Sequence, residues 1–183
     1  MRLREVYNVK KIILSLIISV ISCSTVNAST EKPPSYEDMY PEWGYTSINE
    51  ALSEVEDAFN KELRLPSRVP PIIFTHYFGK FDEPRRSFHA QYVNDRTPAN
   101  HYKIDVRAAE DGIDFHERQV VDTYKLKNGA TANYISLSQH HIGFHALVFN
   151  KDEWQYILSV DKRVAATVTP EVLVEIANSI ENG

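Results

Sequence analysis

The sequence predicts an α+β fold: an antiparallel meander sheet of about six to seven strands, with an N-terminal and a C-terminal helix packed on one face. Three observations predict it. From Ile72 to Thr167 apolar side chains recur with a period of two, the repeat of a half-buried strand. Stretches with three-four spacing stand before and after that block, and the links between the alternating segments are short and rich in turn residues. Short links can join only antiparallel neighbours, and helices flanking such a sheet must bury their apolar stripes against it.

Before the first of these elements comes a leader. Residues 1–22 open with Arg2, Arg4, Lys10 and Lys11 and continue into the apolar run Ile12–Ile21. That run is too short to cross a hydrocarbon core, which takes about 20 residues, but it suits the h-region of a signal peptide. Two processing routes follow. Val26 and Ala28 fit an ordinary signal peptidase cutting before Ser29, whereas Val20, Ile21, Ser22 and Cys23 resemble the lipobox of bacterial lipoproteins. Cys23 is the only cysteine of the chain and lies just past the h-region, where a thiol meets the membrane surface. Left free after export it would be an oxidation liability without a disulfide partner, so lipidation of Cys23 is the favoured route. The two chains of a diacylglyceryl group meet the requirement for stable anchoring.

Residues 23–45 read as a lipidated tether: polar, stiffened by Pro33, Pro34 and Pro41, and without apolar periodicity. Its aromatic residues Tyr36, Tyr40, Trp43 and Tyr45 are expected to pack on the protein's own domain, since a cluster of exposed aromatics is uncommon. Residues 46–183 form the single α+β extracytoplasmic domain. Ser47 and Glu50 have capping-box spacing, and Ile48, Ala51, Leu52, Val55, Ala58, Phe59 and Leu63 make the buried stripe of a helix that ends before Pro66. Strands follow around Ile72–Phe81, Arg85–Val93, Tyr102–Ala108, Arg118–Leu126, Thr131–Ser138, His141–Phe149 and Trp154–Lys162. Asn128-Gly129 reads as a two-residue hairpin turn, and Asn150–Glu153 links the next pair in a similar way. Thr169 and Pro170 start the last helix, whose stripe is Val172, Leu173, Ile176, Ala177 and Ile180.

The segment Phe144–Val160 followed by Thr169–Ile180 resembles a Gram-positive extracytoplasmic domain family of unknown function, found in small lipoproteins and in the outer portions of anti-sigma-factor proteins. Ile176, Ala177, Ser179 and Ile180 match the ending of that family's last helix. The resemblance implies an extracytoplasmic sheet with flanking helices, distantly similar to lipoprotein-carrier and sigma-regulator sensor folds, and brings no catalytic residues.

Charge excludes one class of partner. The chain carries a formal net charge of -5, and loss of the basic leader leaves about -8, so a phosphate-binding basic surface is missing and nucleic acid is not expected. Seven histidines, His76, His89, His101, His116, His140, His141 and His145, raise the question of a metal; His141 and His145 share a strand face, but no HExxH or cysteine pair accompanies them and no metal or cofactor is expected. Asp82, Glu83, Asp95, Asp105, Glu110, Asp111, Asp114, Glu117 and Asp122 fall mostly in turns or on wet faces, and the Gly-rich loop and GxSxG elbow are missing. The expectation is therefore a non-catalytic binding or sensory module, held to the outer face of the membrane by its lipid and contacting an envelope protein. Two alternatives remain: a carrier with a deep apolar cavity between sheet and helices, and a secreted hydrolase with a cleft of converging polar groups.

Overall fold

The computed structural model of the chain describes residues 34–139 and 142–180. The leader, the proposed anchor Cys23, and His140 and His141 lie outside the described residues. The element order is α1 (Tyr36–Glu42), α2 (Ile48–Phe59), β1 (His76–Asp82), β2 (Ser87–Val93), β3 (Tyr102–Ala108), β4 (Val120–Lys125), β5 (Thr131–Gln139), β6 (Ile142–Lys151), β7 (Trp154–Asp161) and α3 (Pro170–Ala177). The seven strands form one antiparallel sheet in the order β1-β2-β3-β7-β6-β5-β4. Two meanders, β1 to β3 and β4 to β7, are thus joined by pairing β3 with β7, in register from Tyr102 opposite Val160 to Ala108 opposite Trp154. The fold is the α+β sheet with flanking helices that the hydrophobic periodicity predicts.

One face of this sheet is sealed. α2 and α3 lay Ala51, Val55, Leu173, Ile176 and Ala177 on Phe88, Ala90, Ile104, Val106, Leu147, Tyr156 and Leu158, a single continuous core. Ser47 caps α2, its hydroxyl accepting from the Glu50 amide at 3.2 Å, and Pro170 opens α3 at a position that needs no amide donor. The start of α2 presses on β1 so closely that a Cβ on Gly79 would lie 2.6 Å from the Ile48 Cα. Beyond α2 the chain straps along β7: the Trp154 indole donates to the Glu62 carbonyl at 3.2 Å and the Tyr156 hydroxyl to the Arg64 carbonyl at 2.9 Å.

The end of the segment read as a tether is part of the fold. Tyr36–Glu42 is helical, capped by Ser35, and Tyr40 is 7% exposed with its ring stacked 4.2 Å from that of Phe78. The sequence predicts a stiff tether without helical periodicity here; two helical turns are too short to display a periodic pattern beyond the i, i+4 pair Tyr36 and Tyr40. The aromatics do pack on the protein's own domain. α1 lies on the face opposite α2, because Phe78 alternates with Gly79; the chain then rounds the β1 edge, Thr46 exchanging both backbone hydrogen bonds with Gly79 at 2.7 and 2.9 Å. That edge is thereby covered.

The hairpin turns differ from expectation in an instructive way. At Asn128-Gly129 only the glycine takes a positive φ, 84°, and Leu126 donates to the Ala130 carbonyl, so the loop holds three residues with Gly129 at the bulge position. The two-residue turn is instead Asp152-Glu153, with φ of 48° and 65°, between the paired Lys151 and Trp154. Left-handed backbone at Glu153 is costly for a side chain with a Cβ, and its exposed carboxylate forms a salt bridge with Lys61.

Candidate functional site

The second face of the sheet is free of α2 and α3. Strand alternation places Lys80, His89 and Asp105 in one cross-strand row, Gln91, Lys103 and Ser159 in the next, and Ser87, Arg107 and Gln155 in a third. Much of this face is tied together by its own hydrogen bonds, although the buried Arg107 Nε has no partner among the described residues. The His101 Nε2 donates to the Gln91 Oε1 at 2.7 Å, and the Gln91 amide donates to the Tyr45 hydroxyl at 3.2 Å. Burial holds His101 neutral, pushing its pKa down to about 4 with help from the nearby Lys103 ammonium. Burial raises Tyr45 likewise, against the opposing hydrogen bond from Gln91. The Arg163 guanidinium, 2.6 Å from the Asp161 carboxylate, holds that acid below its usual range.

One set of contacts on this face has the connectivity of a nucleophilic relay. Ser87 Oγ lies 2.9 Å from His89 Nε2, and His89 Nδ1 lies 2.5 Å from Asp105 Oδ1. With the ring proton on Nδ1 facing the carboxylate, Nε2 accepts from the serine, as in a Ser-His-Asp triad. Exposure decides against nucleophilic use. Ser87 is 1% exposed, and a hydroxyl that has to reach an acyl carbon needs an open approach and hydrogen-bond donors for the resulting oxyanion. The arrangement follows directly from sheet register: residues two apart on β2 share a face, and His89 stands opposite Asp105. Its effect is to satisfy polar groups in a half-buried layer.

The other sequence candidates are dispersed. His76 contacts Glu37 at 2.6 Å, the His116 ring accepts from the Arg118 amide at 3.1 Å, and the His145 ring stacks on Tyr134 at 5.1 Å. Asp82 is paired with Arg85, Asp111 with Arg86, Asp95 accepts from the Thr75 hydroxyl, and Asp122 accepts from the Thr123 amide. Among the described residues, no group of three His, Cys, Asp or Glu side chains is placed to hold a metal ion, and no helix is long and apolar enough to cross a membrane.

A cleft does open on the face opposite α2 and α3. The link from β3 to β4 carries the chain from the middle of the sheet to its far edge and runs over β7, β6 and β5. Gln155 fastens it: the side-chain Oε1 accepts from the Ile113 amide at 2.7 Å and Nε2 donates to the Ile113 carbonyl at 3.1 Å. Gly112 permits the approach, since a Cβ there would lie 3.0 Å from Gln155 Nε2. Phe115 then packs on a small second core of Ile135, Ala146, Val148 and Ile157. Between the link and the sheet lies a cavity of about 410 Å³ with an apolar floor and a rim of Asp114, Asn133 and Asn150. A larger hollow of about 500 Å³ lies at the end of α2 beside Phe59, Arg86 and Glu153. Both of its cations are already paired, Lys61 with Glu153 across the wall and Arg86 with Asp111 beyond it. No pattern in the sequence points to the first cleft, because its walls are brought together only by the β3–β7 pairing and the Gln155 contact.

No family model, curated protein or solved structure matches the chain.

Proposed function

We propose that this chain is a lipid-anchored, non-catalytic binding or sensory module on the outer face of the cell membrane, and that the face of its sheet opposite α2 and α3 is the surface that meets a partner in the envelope. The observation that carries the reading is the asymmetry of the sheet: two helices seal one face, while the other keeps a half-exposed ladder of His89, Lys103, Asp105 and Arg107 with a cleft beside it. The leader, Cys23 in its lipobox-like setting, and the resemblance of the C-terminal third to extracytoplasmic lipoprotein domains support the address. The carrier reading has less support, because Tyr102, Tyr156, Phe88, Ile104, Leu158 and Leu173 fill the space between sheet and helices. The hydrolase reading has the Ser87–His89–Asp105 connectivity in its favour and the burial of Ser87 against it.

Chemical crosslinking in intact cells tests the proposal on three forms of the full chain. The unaltered protein is expected in the membrane fraction, joined to one defined envelope protein. Cys23→Ala should move it to the medium, and Lys103→Glu should abolish the adduct while leaving the protein on the membrane. An unchanged distribution for Cys23→Ala contradicts the anchor. An adduct indifferent to Lys103→Glu contradicts the assignment of the face.

A further inference from the structure

The cleft under the β3–β4 link has a composition that selects a ligand class. Its floor is Ile135 and Val148, walled by the half-buried ring of Phe115, and its rim carries Asp114, Asn133 and Asn150, all three exposed. Asn133 spends its carbonyl oxygen on the Thr123 hydroxyl at 3.2 Å, which leaves its NH₂ to donate. Asn150 offers both a donor and an acceptor, and Asp114 is an acceptor alone. No lysine or arginine is among the described residues that line the cleft. An anionic ligand would therefore meet a carboxylate and no cation in the lining, and an acyl chain would use the apolar floor but none of the three polar rim groups. What fits is a neutral molecule with hydroxyl or amide groups around its edge and an apolar face. A volume of about 410 Å³ lies in the range of small-molecule sites.

We infer that this cleft is a binding site for a neutral saccharide of one or two rings, with Asp114, Asn133 and Asn150 holding its hydroxyls and Phe115, Ile135 and Val148 lying against its C–H face. The inference rests on the reading of the face opposite α2 and α3 as the binding face and names a ligand for one end of it. The Gln155 contact with Ile113 fixes the width of the cleft, so the site is preformed and little ordering opposes binding.

The test is saturation-transfer NMR on the full chain in detergent, with glucose, N-acetylglucosamine and their β-1,4-linked disaccharides as probes. At least one of these sugars should receive saturation. Asn150→Ala and Asp114→Ala alter exposed positions without touching the core, and each should weaken binding by roughly 3–10-fold, the value of one hydrogen bond to the ligand. Glu54→Ala on the far side of α2 should leave it unchanged. Absence of transfer to all the sugars overturns the inference, as does transfer that survives both rim substitutions. Either failure leaves the envelope-partner reading standing if the Lys103-dependent adduct is still formed, so the two proposals fail separately.

Discussion

The two faces of the sheet are made by the same strands and have opposite characters. On β7, Leu158 points into the continuous core beneath α2 and α3, while its neighbour Ile157 points to the small cluster under the β3–β4 link. One face is closed by helices whose stripes are long and apolar. The other is closed only at its margins, by α1 at the β1 side and by the link pinned by Gln155 at the β4 side. On the proposed reading the free face carries recognition as well as part of the fold: substitutions beneath α2 and α3 should act on folding alone, and exposed ones on the free face on binding.

The largest contrast is within β7. Leu158→Ala removes a fully buried side chain from the main core and should cost about 2–5 kcal/mol in chemical denaturation, nearer the top of that range. Ile157→Ala, one residue away, should cost less, near 2 kcal/mol, since its cluster is small and lies beside a cleft that can relax. Equal losses would erase the distinction between the faces.

Acid should act through the free face before the core is affected. The folded state keeps His101 neutral, with a pKa near 4 against 6.5 for the free side chain, so below pH 6.5 the unfolded chain binds more protons than the folded one. The stabilisation is complete above pH 6.5 and is lost as pH falls to about 4, by roughly 2–4 kcal/mol. His145 is shifted downward by burial and by Lys162, and acts in the same direction. In His101→Gln this loss should shrink; an unchanged pH profile would show that the imidazole is not held neutral by folding.

Smaller effects sharpen the picture at the two ends of the link and the turn. Gln155→Leu strands the Ile113 amide and carbonyl and should cost about 1–3 kcal/mol, with faster amide exchange confined to residues 109–119. Protection that stays unchanged there would mean that the contact does not set the cleft. Glu153→Gly, measured by thermal melting, should stabilise by about 0.5–1 kcal/mol, because glycine relieves the left-handed backbone at the turn and the exposed pair with Lys61 is worth little.

Much of this architecture is legible in the sequence, because local patterns carry it. The alternation from Tyr102 to Ala108 marks β3 residue for residue, and Ser47 with the apolar stripe behind it marks α2. What escapes is whatever depends on contacts between distant segments. The pairing of β3 with β7 converts one expected meander into two, and no short-range pattern encodes it. The relay is half visible, since Ser87 and His89 stand two apart in a strand pattern; the place of Asp105 requires the register of β2 on β3. α1 is hidden because its stabilisation comes from stacking on Phe78, far along the chain, and the cleft is hidden because Gln155 and Ile113 meet only after the sheet is assembled.

The most direct measurement places a photo-crosslinking amino acid at Lys103 on the free face and, separately, at Glu54 on the outer side of α2, in otherwise unaltered protein in intact cells. A single identified envelope adduct from position 103 and none from position 54 is the predicted result. The same adducts from both positions, or an adduct from position 54 alone, would contradict the division of the molecule into a structural face and a recognition face.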